Sequence, residues 1–198
     1  TSGCQLNCVA CSHICPTAAI RPISLDQKLG KGQFAQAGPI KLGTAFVDRG
    51  RCLPWAMDRP CIVCQENCPV SPKAIFTREY FSTVRNGLFR LLHVYEQTLE
   101  LEGDDLLPNQ LATGDYYAST THQGTEQRWR IASNTSNKVT LSAGESSGTA
   151  LEPGKGIAIQ VRLQRPYVDP NLCIGCGICE HECPVSGKRA IRVTAENE

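Results

Sequence analysis

The sequence contains no run of eighteen apolar residues, so nothing in it reads as a membrane span. It begins at Thr1 and shows no basic-then-apolar leader with a small-residue cleavage site, so no secretory signal is read in it. An excess of one charge is also lacking. Lys and Arg number 20, Asp and Glu 19, and the formal net charge is +1. That balance offers no polyanion-binding tail and no general nucleic-acid footprint. There is no Gly-rich phosphate loop, no nucleophile–base pair and no set of paired carboxylates, so no catalytic site is expected. Cysteine is missing from the 104 residues between Cys68 and Cys173. The gap is informative because cysteine is abundant elsewhere.

Twelve cysteines fall in three groups of four: Cys4, Cys8, Cys11 and Cys15; Cys52, Cys61, Cys64 and Cys68; Cys173, Cys176, Cys179 and Cys183. Disulfide scaffolds scatter cysteines along the chain rather than packing four into a dozen residues. Structural zinc uses C-x2-C pairs separated by a longer knuckle, not triplets that end in Cys-Pro. The third group, Cys173-x2-Cys176-x2-Cys179-x3-Cys183-Pro184, instead spells the run by which bacterial ferredoxins hold [4Fe–4S] clusters. Thiolates suit iron of this softness, and one is needed for each of four irons. In two-cluster ferredoxins the fourth cysteine of each run serves the other cluster, so one run implies a second.

The second group supplies that partner. Cys61-x2-Cys64-x3-Cys68-Pro69 keeps the spacing, while eight residues separate Cys52 from Cys61 and Cys52 must loop back as first ligand. Trp55 and two prolines in this loop suggest a stiff lid, with Trp55 shielding the site from water rather than relaying electrons. All three groups end alike: Cys15-Pro16 before Ala19-Ile20, Cys68-Pro69 before Ala74-Ile75, and Cys183-Pro184 before Ala190-Ile191. This is an internal repeat. The proline suits a first helical turn, and the Ala-Ile pair is expected to pack against the cluster. Crossed ligation gives one [4Fe–4S] cluster on Cys52, Cys61, Cys64 and Cys183, and a second on Cys173, Cys176, Cys179 and Cys68. A third is expected on Cys4, Cys8 and Cys11, its fourth ligand either Cys15 or a group outside this chain. The start at Thr1 favours an upstream run. His13 and His181 lie inside their runs, but four cysteines are already at hand, so both are read as surface residues. Gly175 and Gly177 are expected to let backbone approach the cluster sulfurs closely.

The expected fold is α+β: a bacterial dicluster-ferredoxin-like fold split by an all-β insertion, plus an N-terminal half-ferredoxin segment. Residues 1–24 form the N-terminal cluster-binding segment and 25–43 a connector. Residues 44–79 and 166–198 form the two halves of the dicluster domain, with strands at Thr44–Val47 and Ile191–Thr194. Residues 80–165 read as a sandwich or barrel of five or six strands, including Leu91–Leu101, Arg128–Ala132, Asn137–Leu141 and Ile157–Leu163. Turns are expected at Glu102–Asp105, Ala112–Asp115 and Ser146–Gly148. Ile157, Ile159, Val161 and Leu163 alternate onto one face. Tyr116, Tyr117 and Trp129 are read as packing residues rather than a ligand face.

Cys4-Gln5-Leu6-Asn7-Cys8-Val9-Ala10-Cys11, Gly43–Asp48, Arg51–Ala56 and Cys173–Cys179 resemble bacterial polyferredoxins. The nearest likeness is to the ferredoxin-type proteins of periplasmic nitrate reduction and methylamine utilisation. The resemblance covers residues 1–78 and 166–198; the long stretch before the last motif departs from it. It implies several [4Fe–4S] clusters passing electrons between a quinone pool and redox partners, within a larger and often membrane-associated complex. It also implies an upstream C-x2-C-x2-C-x3-C-P run. The function expected is therefore electron transfer, with other redox subunits, a quinone-linked protein or a cytochrome as partner. A redox enzyme and a structural or regulatory iron–sulfur protein are the alternatives. Compartment is not indicated.

Overall fold

The computed structural model describes residues 7–122, 124–143 and 151–195. It is mixed α/β and mostly strand, and its contacts divide the chain into two compact units. The first comprises Thr1–Met57, Ile62–Arg78 and Arg165–Glu198; the second comprises Asp58–Cys61 and Glu79–Gln164.

In the first unit, strand β1 (Thr44–Val47) pairs antiparallel with β8 (Ile191–Thr194), Val47 opposite Ile191 and Thr44 opposite Thr194. Its helices are single turns: α1 (Ala10–Ile14), α2 (Leu25–Leu29), α3 (Leu53–Ala56), α4 (Val63–Glu66) and α5 (Ile178–Glu182). Ser24 caps α2 by accepting from the Gln27 N–H at 3.0 Å. The helical turns do not follow the Cys-Pro pairs, as the repeat suggested; α1, α4 and α5 all precede them. The cause is the residue before proline, which the proline ring drives out of the helical region. Cys15 has φ −65° and ψ 111°, and Cys183 has φ −58° and ψ 123°, so each ends a helix instead of beginning one. The core of this unit is built from cysteines and small aliphatics: Cys52, Cys64, Cys173, Cys179 and Cys183 cluster with Ala45, Ala74, Ile75, Ala190 and Ile191.

The second unit contains strands β3 (Thr98–Leu101), β4 (Tyr116–His122), β5 (Thr125–Asn134) and β6 (Lys138–Leu141), together with most of β2 (Ile75–Tyr95) and β7 (Gly156–Val168). The six close into a barrel in the order β2-β3-β6-β5-β4-β7. Closure leaves no open sheet edge. Leu91–Leu101 is not one strand: Glu96 adopts φ +43°, and the chain folds back so that Tyr95 faces Thr98 and Leu91 faces Leu101. Strand β4 escaped the sequence reading because its Ser and Thr residues look like loop. Ile157, Ile159, Val161 and Leu163 are all buried, as their alternation requires. Trp129 lies in the barrel core with Tyr116 packed against it, whereas Tyr117 meets Phe81 edge to face at 5.3 Å. The Ser146–Gly148 turn lies outside the described residues.

Candidate metal centre

The second and third cysteine runs are introduced by the same local device. Asp48 accepts the Gly50 N–H through Oδ1 at 3.2 Å, and its carbonyl accepts the Cys52 N–H at 3.0 Å. Asp169 accepts the Asn171 N–H through Oδ1 at 2.9 Å, and its carbonyl accepts the Cys173 N–H at 3.1 Å. A short acidic side chain bonding its own backbone two residues on makes a turn without help from other elements. The sequence carries this signal as Val47-Asp48-x3-Cys52 and Val168-Asp169-x3-Cys173, but Asp-x3-Cys is too short a pattern to single out without the turn's hydrogen bonds. The turns also cross-link the halves, since Asp48 N–H donates to the Ala190 carbonyl at 2.7 Å and Asp169 N–H to the Ala74 carbonyl at 2.8 Å.

A small, partly open cavity of about 20 Å³ lies in the first unit. Cys173, Cys176 and Cys179 of the third group line it together with Cys68, the last cysteine of the second. The rest of the wall is Ala45, Pro69, Val70, Ala74, Ile75, Ile174, Gly177 and Val193, which is apolar apart from backbone. The Ala45 N–H donates to Cys173 Sγ at 3.3 Å. Gly175, at φ +69°, packs so closely that a Cβ there would stand 2.4 Å from the Gly43 carbonyl oxygen. At Gly177, with φ +78°, a Cβ meets nothing within 4 Å, so only the backbone conformation calls for glycine.

Four thiols gathered in an apolar wall resist ionising one another. Burial, and then the charges of Cys176, Cys64 and Cys173, push the Cys179 thiol up to about 12. Burial also raises Cys176, with Cys68 and Cys173 adding to it. A group of bound cations removes that penalty, because a coordinating thiol is held deprotonated. The donor set suits iron–sulfur better than one zinc. Structural zinc uses paired knuckles, whereas three of these four cysteines come from one C-x2-C-x2-C run that ends in Cys183-Pro184. A cubane spreads its four ligands around a larger body, as four cysteines around a cavity do.

Cys52, Cys64 and Cys183 are buried in the same apolar cluster, with Trp55 and Val185 against it. Cys61 is half-buried. The first group differs. Cys4 lies outside the described residues, Cys11 is exposed, and Cys8 and Cys15 are half-buried. Hydrogen bonds from the Ile20 N–H and then from Thr17 bring Cys15 down to about 7. The Ala-Ile pairs behave accordingly: Ala74-Ile75 and Ala190-Ile191 are buried among cysteines, but Ile20 is 50% exposed. For the first group, packing against a cluster is therefore not seen. His13 and His181 are exposed.

A family model, the 4Fe-4S binding domain Fer4, matches residues 166–186. No curated protein and no solved structure matches the chain. The match, confined to this stretch, indicates a 4Fe-4S site in the third cysteine group, and with the twelve cysteines it supports an iron–sulfur protein of ferredoxin type.

Proposed function

We propose that the chain is an electron carrier of polyferredoxin type, whose residues 44–79 and 166–198 form one two-cluster domain interrupted by the β module of 80–165. The observation that carries this reading is the cavity shared by Cys68 and by Cys173, Cys176 and Cys179, residues from two runs more than a hundred positions apart. The mirrored set is Cys52, Cys61, Cys64 and Cys183, with Cys61 joined to Cys64 by its C-x2-C spacing. Cys4, Cys8, Cys11 and Cys15 are assigned to a third cluster.

When bound, a [4Fe–4S] cluster takes up and gives back single electrons. The residues around it hold, shield and tune. Four thiolates from both halves fix the position of the centre. Ile75, Val70 and Val193 keep water from it, and the Ala45 N–H stabilises negative charge on Cys173 Sγ. Cys64 and Cys179, whose charges act on each other, stand on α4 and α5, which pack together. That packing supports two neighbouring ligand sets, as a relay requires. The partners proposed are other redox subunits, a quinone-linked protein or a cytochrome.

Counting iron and acid-labile sulfide per chain, with EPR of the dithionite-reduced protein, tests the reading. About eight irons or more, with magnetically coupled signals, are expected for adjacent clusters. About four irons, or none, would remove the relay.

A further inference from the structure

The first unit carries aromatic rings layered with guanidinium groups. Trp55 meets Tyr167 edge to face at 5.5 Å between centroids, and Tyr167 stacks on Phe76 at 5.6 Å and 14°. Arg49 lies 4.4 Å and Arg165 4.8 Å from the Trp55 ring centre, and Arg78 lies 4.9 Å from that of Tyr167. Arg49, Phe76 and Arg78 are exposed. An open groove bordered by Phe46, Arg49, Pro166 and Tyr167 runs beside them. Among the described residues no carboxylate pairs with Arg49 or Arg78.

We propose that this patch is the docking surface for an acidic protein partner of the cluster site, an inference that rests on the electron-transfer reading above. Three lines converge on it. Guanidinium stays charged at any working pH and forks onto carboxylates, and a ring beneath it limits the freedom lost on binding. The segments forming this unit carry a positive excess, twelve Lys or Arg against eight Asp or Glu, so an acidic face is the complementary one. The patch also adjoins the ligands. Trp55 follows Cys52 by three residues and packs on the cluster that holds Cys52, Cys64 and Cys183; Phe76 follows Ile75, which lines the cavity. Nucleic acid fits less well. Bases need open ring faces, whereas Trp55 already carries two guanidinium groups and Tyr167 lies against Phe76. Each encounter moves one electron to the partner's flavin or haem and transfers no atoms.

The test uses cluster-loaded, dithionite-reduced protein mixed in stopped flow with an acidic flavodoxin as probe acceptor, at rising ionic strength. The native rate is expected to fall as salt rises, and Arg49→Ala/Arg78→Ala to be slower at low salt by about tenfold or more. The Arg49→Lys/Arg78→Lys protein should recover part of the rate, since charge returns without the fork. Iron content and EPR are recorded on every sample. Unchanged rates with intact clusters overturn the docking surface and leave the carrier reading standing. A native protein without clusters overturns both. Unmoved flavodoxin rates, with loss of binding to oligothymidylate or to phosphatidylserine vesicles in the alanine variant, overturn it in favour of a nucleic acid or a lipid surface.

Discussion

Gly175 and Gly177 stand two residues apart in the third cysteine run, and both adopt the left-handed backbone. Their surroundings separate them. A side chain at Gly175 would drive into the backbone of Gly43, which borders the cavity wall at Ala45, whereas one at Gly177 would point into open space. Gly175→Ala is therefore expected to displace the cysteine loop and abolish iron at that site. Gly177→Ala meets no protein atom within 4 Å and should cost the fold only the left-handed strain, about 1–2 kcal/mol. A denaturant midpoint for both variants, with iron per chain for Gly175→Ala, decides this; equal destabilisation would show that the Gly43 contact does not matter. The contrast between Cys179 and Cys15 belongs to the same scale. One thiol is pushed up to about 12 by burial among other thiols; the other is half-buried, and hydrogen bonds from Ile20 and Thr17 bring it down to about 7.

At the scale of elements, the barrel strands are held by apolar residues on alternating positions. Ile159 of β7 is fully buried in the barrel core beside Ala118 of its neighbour β4. Ile159→Ala removes three carbons from a closed space, and urea unfolding is expected to show a loss of about 2–5 kcal/mol; a loss below about 1 kcal/mol would mean the core is not packed around it. How far such elements were legible depended on their chemistry. Ile157–Leu163 announced itself by strict alternation, and Thr44–Val47 and Ile191–Thr194 by position beside cysteine runs. Tyr116–His122 did not, because Ser119, Thr120 and Thr121 carry no apolar signal and gain their place only by pairing with β5 and β7. Leu91–Leu101 looked continuous because the bend at Glu96 contains neither glycine nor proline. The helices were misplaced for a different reason. Proline was read for its own conformation, while its stronger effect falls on the cysteine before it.

For the whole molecule, the proposal is that two distant cysteine runs form one site. Their spacing was visible in the sequence, and so was the set of twelve cysteines. The reciprocal turns at Asp48 and Asp169 were not recognised, although they tie each half to the other through Ala190 and Ala74. The first group did not share this burial, and Ile14 and Ile20 remain exposed beside it. The measurement that bears most directly on the shared site is iron content in paired cysteine variants. Under crossed ligation Cys68 and Cys176 serve the same cluster, so Cys68→Ala/Cys176→Ala should lose only about four irons relative to the native protein. Cys176→Ala/Cys183→Ala should lose about eight, because each change strikes a different cluster. The reverse pattern, with the second pair losing four and the first losing eight, would contradict the account.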